Sequence, residues 1–206
     1  MLFFRVKSLS IFFFGLLSWI LLLSSPSGTA LAAPVSPGEI TARAPLPAPP
    51  KPKPKFPSKS DCENKLKKGQ PPENKSIFFT GLNRQAMNQV KSYAISHSLT
   101  HVGAVYPDGF TNVGQYEGSG TEQRDFQKAF SEVYAEHTSG TAYLMMDYNE
   151  KPGKNSIFYS VEFKAMKASG KVDKIVWLDI NNKPADPKTV DKIWWKKGDP
   201  DPATKD

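Results

Sequence analysis

TEQRDFQKAFSEVYAEHTSG (residues 121–140), TAYLMMDY (141–148) and NEKPGKNSIFYSVEF (149–163) form one continuous stretch whose pattern changes twice. In the first part Phe126, Phe130, Val133, Tyr134 and His137 recur at i, i+4, i+7, i+8 and i+11, which predicts a helix with one apolar stripe turned to a core. Ser119 and Glu122 have the spacing of a capping box, and Gly140 suits the left-handed end of a helix. The run Thr141 to Tyr148 is short, apolar and rich in β-favouring types, as expected of a buried strand packed on that helix. A polar turn, Lys151 to Asn155, then leads into Ser156 to Phe163, where the single carboxylate Glu162 lies among aromatic residues.

Upstream, Ser76 to Phe79 reads as a first strand and Leu99 to Tyr106 as a second, closed by the turn Pro107-Asp108-Gly109. Between them Ala86, Met87, Val90, Tyr93 and Ala94 recur at helical spacing behind Asn83, a suitable N-cap. Phe110 to Gly120, with three glycines, reads as a mobile loop beside a ligand site. Downstream, Lys164 to Gly170 reads as a short helix or turn, Lys171 to Ile180 as a central strand apolar on both faces, and Val190 to Trp195 as an edge strand. Strands alternating with helices predict a small single α/β domain over 61–196, a central, mostly parallel sheet flanked by helices.

The ends carry different information. Arg5 and Lys7, the apolar run Ile11 to Leu23 and Ala30-Leu31-Ala32 together predict a signal peptide over 1–32, hence a secreted, extracellular protein. Thirteen positions are too few to cross about 30 Å of hydrocarbon at about 1.5 Å per residue, so no membrane association is expected after cleavage. Nine of the 18 prolines fall between Pro34 and Pro57, which predicts a disordered Pro/Lys-rich leader over 33–60. Residues 197–206, charged and proline-bearing, read as a flexible tail. The net charge of +7 resides mostly at the start of the chain. Arg5 and Lys7 contribute +2, and Arg43, Lys51, Lys53, Lys55 and Lys59 against Glu39 contribute +4, leaving the rest at +1. No basic field belongs to the domain, which sets nucleic-acid binding aside.

Cys62, the sole cysteine, cannot form an internal disulfide, and its place at the leader–domain junction favours an exposed thiol or a dimer link. Asn74-Lys75-Ser76 is a glycosylation sequon. His97, His101 and His137 lack carboxylates at metal-ligand spacing, so no metal is expected, and His137 reads as a core or rim residue. Nor are there Walker, C-x-x-C or nucleophile-elbow motifs. Glu162 is left, either at the edge of an aromatic-walled pocket, where its charge would stabilise a developing cation, or facing solvent.

The succession Phe126-x4-Ser131-x2-Tyr134-Ala135, then Tyr143 to Met146 as YLMM, then Asn155 to Phe163 as NSIFYSVEF, resembles the ADP-ribosyl cyclase and NAD glycohydrolase family. The resemblance implies that Glu162 is the catalytic glutamate facing the ribosyl cation after nicotinamide leaves, and that Ser131 contacts the same ribose. It makes NAD a substrate, with no bound cofactor. The family's helix tryptophan falls on Gln127 with Phe126 beside it, and an earlier tryptophan falls near Phe79, so these three are the implied substrate-binding wall. The family's Thr-Leu-Glu-Asp signature falls near Ser98-Leu99-Thr100-His101, which has no acid, and Asp108 is the nearest replacement. Its disulfides are reduced to lone Cys62. In architecture the chain also resembles fungal small secreted effectors, which implies a second reading: a non-catalytic protein, active in virulence, that contacts a host target protein.

Overall fold

A computed structural model describes residues 50–66 and 69–206, so the signal peptide and most of the proline-rich leader lie outside the described residues. The element order is α1 (Lys59–Leu66), β1 (Ser76–Phe79), α2 (Arg84–Ser96), β2 (Thr100–His101), α3 (Gly120–Glu136), β3 (Gly140–Met146), a π-helical turn (Phe158–Glu162), α4 (Phe163–Ser169), β4 (Val172–Asp179) and β5 (Ile193–Lys196). The strands form one sheet in the order β2-β1-β3-β4-β5. β1 to β4 are mutually parallel and β5 is antiparallel to β4. Parallel neighbours need crossovers, and the three helical connections supply them.

Alternation along the strands divides the core in two. Phe78, Leu144, Met146 and Ile175 face α1, α3 and α4, while Ile77, Tyr143, Met145, Val176 and Leu178 face α2. The predicted helix stripe is buried at Phe126, Phe130, Val133 and Tyr134, with His137 half-buried at its end. Its start is the capping box of Ser119 and Glu122. Its end differs from expectation: α3 stops at Glu136 with His137 as cap, and Gly140 instead opens β3 at φ +67°. There the Asn74 side chain packs so closely that a Cβ on Gly140 would lie 2.9 Å from its Cγ. Asn74 itself is exposed, and its Oδ1 accepts from Thr141 N at 2.7 Å.

Three further expectations are corrected. β2 is two residues long rather than eight, because His101 Nδ1 accepts from Gly103 N at 3.1 Å and turns the chain into a 3-10 segment. That turn carries Val105 and Tyr106 into the core, where the Tyr106 hydroxyl donates to Phe130 O at 3.0 Å. The loop read as mobile is anchored at its first residue, where Phe110 is buried, stacks on Tyr106 and meets Phe126 edge-on, while its three glycines are exposed and Thr111 borders the cavity. Cys62 is fully buried between α1 and the core, so the expected exposed thiol or dimer link does not hold.

Both ends of the described chain are held down. Phe56, expected in the disordered leader, packs on Tyr116 and Phe126, and Lys59 on α1 pairs with Glu132 at 3.0 Å and Glu136 at 2.9 Å on α3. The tail, expected to be flexible, runs beside the 152–154 turn. Lys205 N donates to Pro152 O at 3.1 Å, Lys154 N donates to Lys205 O at 2.9 Å, and Lys167 pairs with Asp201. The two backbone bonds form a parallel bridge between Gly153 and Lys205 and satisfy the backbone groups there.

Candidate active site

A cavity of about 440 Å³ opens beside β1, where β2 has ended. Ser76 and Ile77 pair with Thr100 and His101, but Phe78 and Phe79 have no partner on that edge. The space a longer strand would fill is lined by Phe79 of β1 and Thr80 just after it, Met87 and Lys91 from α2, and His101 and Gly103 from the β2 turn. Gln127, Phe130, Ser131 and Tyr134 of α3 form another wall, with Phe158 and Glu162 of the π-helical turn and Ile157, which caps it. The volume falls within the range of small-molecule sites.

The segment holding Glu162 is helical. Ile157 begins it, and the Phe163 N–H donates to Phe158 O, five residues back, so the turn is one residue wider than an α-turn. Phe158, Phe163 and Met166 are anchored in the core, with Phe158 and Phe163 both against Trp194. Glu162, carried on the same turn, is 7% exposed. Burial pushes its carboxyl up to about 8, and the hydrogen bond from the Ser131 hydroxyl works in the opposite direction. Ser131 is itself buried at 5% exposure. Two side chains 31 positions apart in sequence therefore meet in one cavity, and the reading of Glu162 as a solvent-facing residue fails.

Of the other residues singled out in the sequence, Phe79 and Gln127 line the cavity. Phe126 does not. It lies 2% exposed among Phe56, Phe110, Tyr116 and Phe130, because it projects from α3 into the interior while Gln127, one residue on, turns to the cavity. Asp108 is exposed at the tip of its turn and lines no part of the cavity, so it supplies no second acid. Glu162 is the sole carboxylate among the lining residues. No group of three or more metal-ligating side chains occurs among the described residues.

Sequence reasoning missed the cationic side. Lys91 and His101 face the same space, and burial together with the Lys91 charge holds the His101 imidazole below its ordinary value. The signal for Lys91 was present: it follows Met87 by one helical turn, but a reading restricted to apolar spacing passes over it.

Solved structures similar to this chain include ADP-ribosyl cyclases and CD38. A complex of Aplysia cyclase with substrate NGD and product cGDPR is 20% identical, with a TM-score of 0.42 over 53% of this chain and 50% of the other. Porcine CD38 with the covalent intermediate ribo-F-ribose-5'-phosphate is 16% identical, with a TM-score of 0.44 over 62% and 63% of the two chains. Apo porcine CD38 is 17% identical, with a TM-score of 0.40 over 63% and 64%. The likeness is partial and distant, and the chain spans half to just under two thirds of the length of these proteins. No family model and no curated protein matches the chain.

Proposed function

We propose that this chain is a secreted NAD glycohydrolase-like enzyme that breaks the bond between nicotinamide and ribose. The observation that carries the reading is the burial of Glu162 beside Ser131 in an aromatic-walled cavity with no other acid. A carboxyl held at about 8 in the empty cavity is protonated at neutral pH. A ligand bearing a pyridinium cation favours the carboxylate instead, so substrate binding releases the proton to solvent. As the bond between C1' and the pyridinium nitrogen breaks, both electrons leave with nicotinamide, which becomes neutral. The positive charge passes to the ribosyl carbon, where the Glu162 carboxylate stabilises it in a medium drier than water. Water adds to that carbon and loses a proton, giving ADP-ribose. Ser131 holds the carboxylate and the ribose side of the cavity, and Phe79 offers a flat apolar surface to the leaving ring.

Purified protein incubated with NAD releases nicotinamide, and Glu162→Gln does not. Silence of the wild type sinks the proposal. A specific feature favours a second reading, that of a non-catalytic effector contacting a host protein: Gln127 and His101 stand where the resembled family has a tryptophan and an acid. The same assay separates the two. Asn74, exposed on its turn, is proposed as a glycosylation site of the secreted protein.

A further inference from the structure

The segment that carries Glu162 is clasped by residues 199–205. The chain leaves β5 and turns at Gly198, where φ is +97°. The start of the stretch that follows is fixed to the sheet, since Trp195 Nε1 donates to Asp199 O at 3.3 Å. Its middle reaches the widened turn and the helix after it: the Tyr159 hydroxyl donates to Pro202 O at 3.3 Å, and Asp201 pairs with Lys167 of α4. Its end reaches the approach to the turn, where Lys205 pairs with Glu150 and closes the bridge to Gly153. Glu162 lies between these attachments in sequence, and none of the residues lining its cavity belongs to the stretch.

Residues 147–156, which lead into the turn, form no helix and no strand, and fixing such a chain costs conformational entropy that contacts elsewhere must offset. Phe158 and Phe163 anchor the turn in the core, but Tyr159, between them, is only half-buried and makes its hydroxyl contact with Pro202. Resting on the reading of Glu162 as the group that faces the ribosyl cation, we propose that residues 199–205 are a positioning strap: Asp201 and Lys205 hold the segment on both sides of Glu162, so that its carboxyl stays against Ser131. They line no part of the cavity and act through Glu162. Both ion pairs are solvent-exposed, so each is weak alone and is screened by salt. The strap is therefore a restraint that ionic strength loosens while the core stays folded.

The test exchanges charges and leaves their sum unchanged. Asp201→Lys with Lys205→Glu puts like charges together at both attachments, and adding Lys167→Asp with Glu150→Lys restores attraction with the signs reversed. Native-state hydrogen exchange over 150–163 is expected to speed up roughly threefold to tenfold in the double variant and to return to the wild-type rate in the quadruple one, with β4 unchanged throughout. In the wild type, high salt raises exchange over 150–163 toward that of the double variant. Nicotinamide release from NAD is scored on the same three proteins. In the double variant kcat falls by a similar factor while KM and the thermal midpoint change little, and the quadruple variant recovers it. Exchange over 150–163 that is the same in all three, an increase that spreads equally to β4, a loss that the restored pairs do not rescue, or a kcat indifferent to the exchange overturns the strap. If the wild type releases no nicotinamide, the enzymatic reading fails, and the exchange rates alone still decide whether the strap holds the segment.

Discussion

Glu162→Gln separates the electrostatic account of the cavity from a purely steric one, because its effect on stability must depend on pH. In the folded chain the Glu162 carboxyl is held at about 8 against an ordinary value of 4.5, by burial first and against the Ser131 hydrogen bond. The folded state therefore keeps a proton that the unfolded chain gives up between those two values. Stability contributed by the neutral carboxyl is intact below about pH 4.5, falls as pH rises, and is lost above about pH 8. At about 1.4 kcal/mol per pH unit, the wild type loses up to about 5 kcal/mol across that window, an upper limit because water entry relieves part of it. Glutamine is isosteric and does not titrate. Thermal unfolding of both proteins at pH 5, 7 and 9 checks this: the variant's midpoint should gain on the wild type as pH rises, by on the order of 10 °C at pH 9. Every other titrating group cancels in the difference. A gap in midpoints that stays constant from pH 5 to pH 9 would refute the buried, neutral carboxyl and with it the proposed proton release.

Ser131→Ala removes the hydrogen bond that lowers the Glu162 carboxyl, so the rising limb of the pH–activity profile for nicotinamide release moves to higher pH. Phe126→Ala costs about 3–5 kcal/mol in denaturant unfolding, as expected of a core ring rather than a substrate contact. Cys62, with its thiol pushed up to about 12 by burial, stays unreactive toward a thiol reagent at pH 8 until the protein is unfolded, and the native protein runs identically with and without reductant. Gly140→Ala, at φ +67° and against the Asn74 side chain, lowers stability by about 2 kcal/mol or more in the same denaturant assay.

Where a residue's periodicity spoke for itself, the sequence was readable. The α3 stripe, its capping box, the Asn83 cap on α2 and the double-faced β4 all follow from spacing and side-chain type. β2 was misread because Leu99 to Tyr106 has a strand's composition, and nothing local announces that His101 will accept from Gly103 and bend the chain. The cost of that error was the cavity itself, which occupies the edge of β1 beyond the bend. Phe126 and Gln127 are neighbours in sequence and face different environments, a distinction set by about 100° of helical rotation that motif matching ignores. Cys62 and Phe56 were misplaced for another reason. Composition describes how a segment behaves alone, and these two residues find partners on α3 and its preceding loop.

The one-residue excess in the turn from Phe158 to Glu162 makes the acid's surroundings sensitive to length in a way that they are not to composition. Phe163 and Met166 fix the later part of the segment against the sheet, whereas Ile157 and Phe158 reach the cavity from the far side of the widened loop. Shortening it by one residue would swing that earlier pair by about 100° about the axis and leave the carboxylate without its apolar floor. Point changes at Tyr159, Ser160 or Val161 keep the count and so keep the alignment, whereas a single deletion here would take Phe158 from its place against Trp194 as well as move the carboxylate.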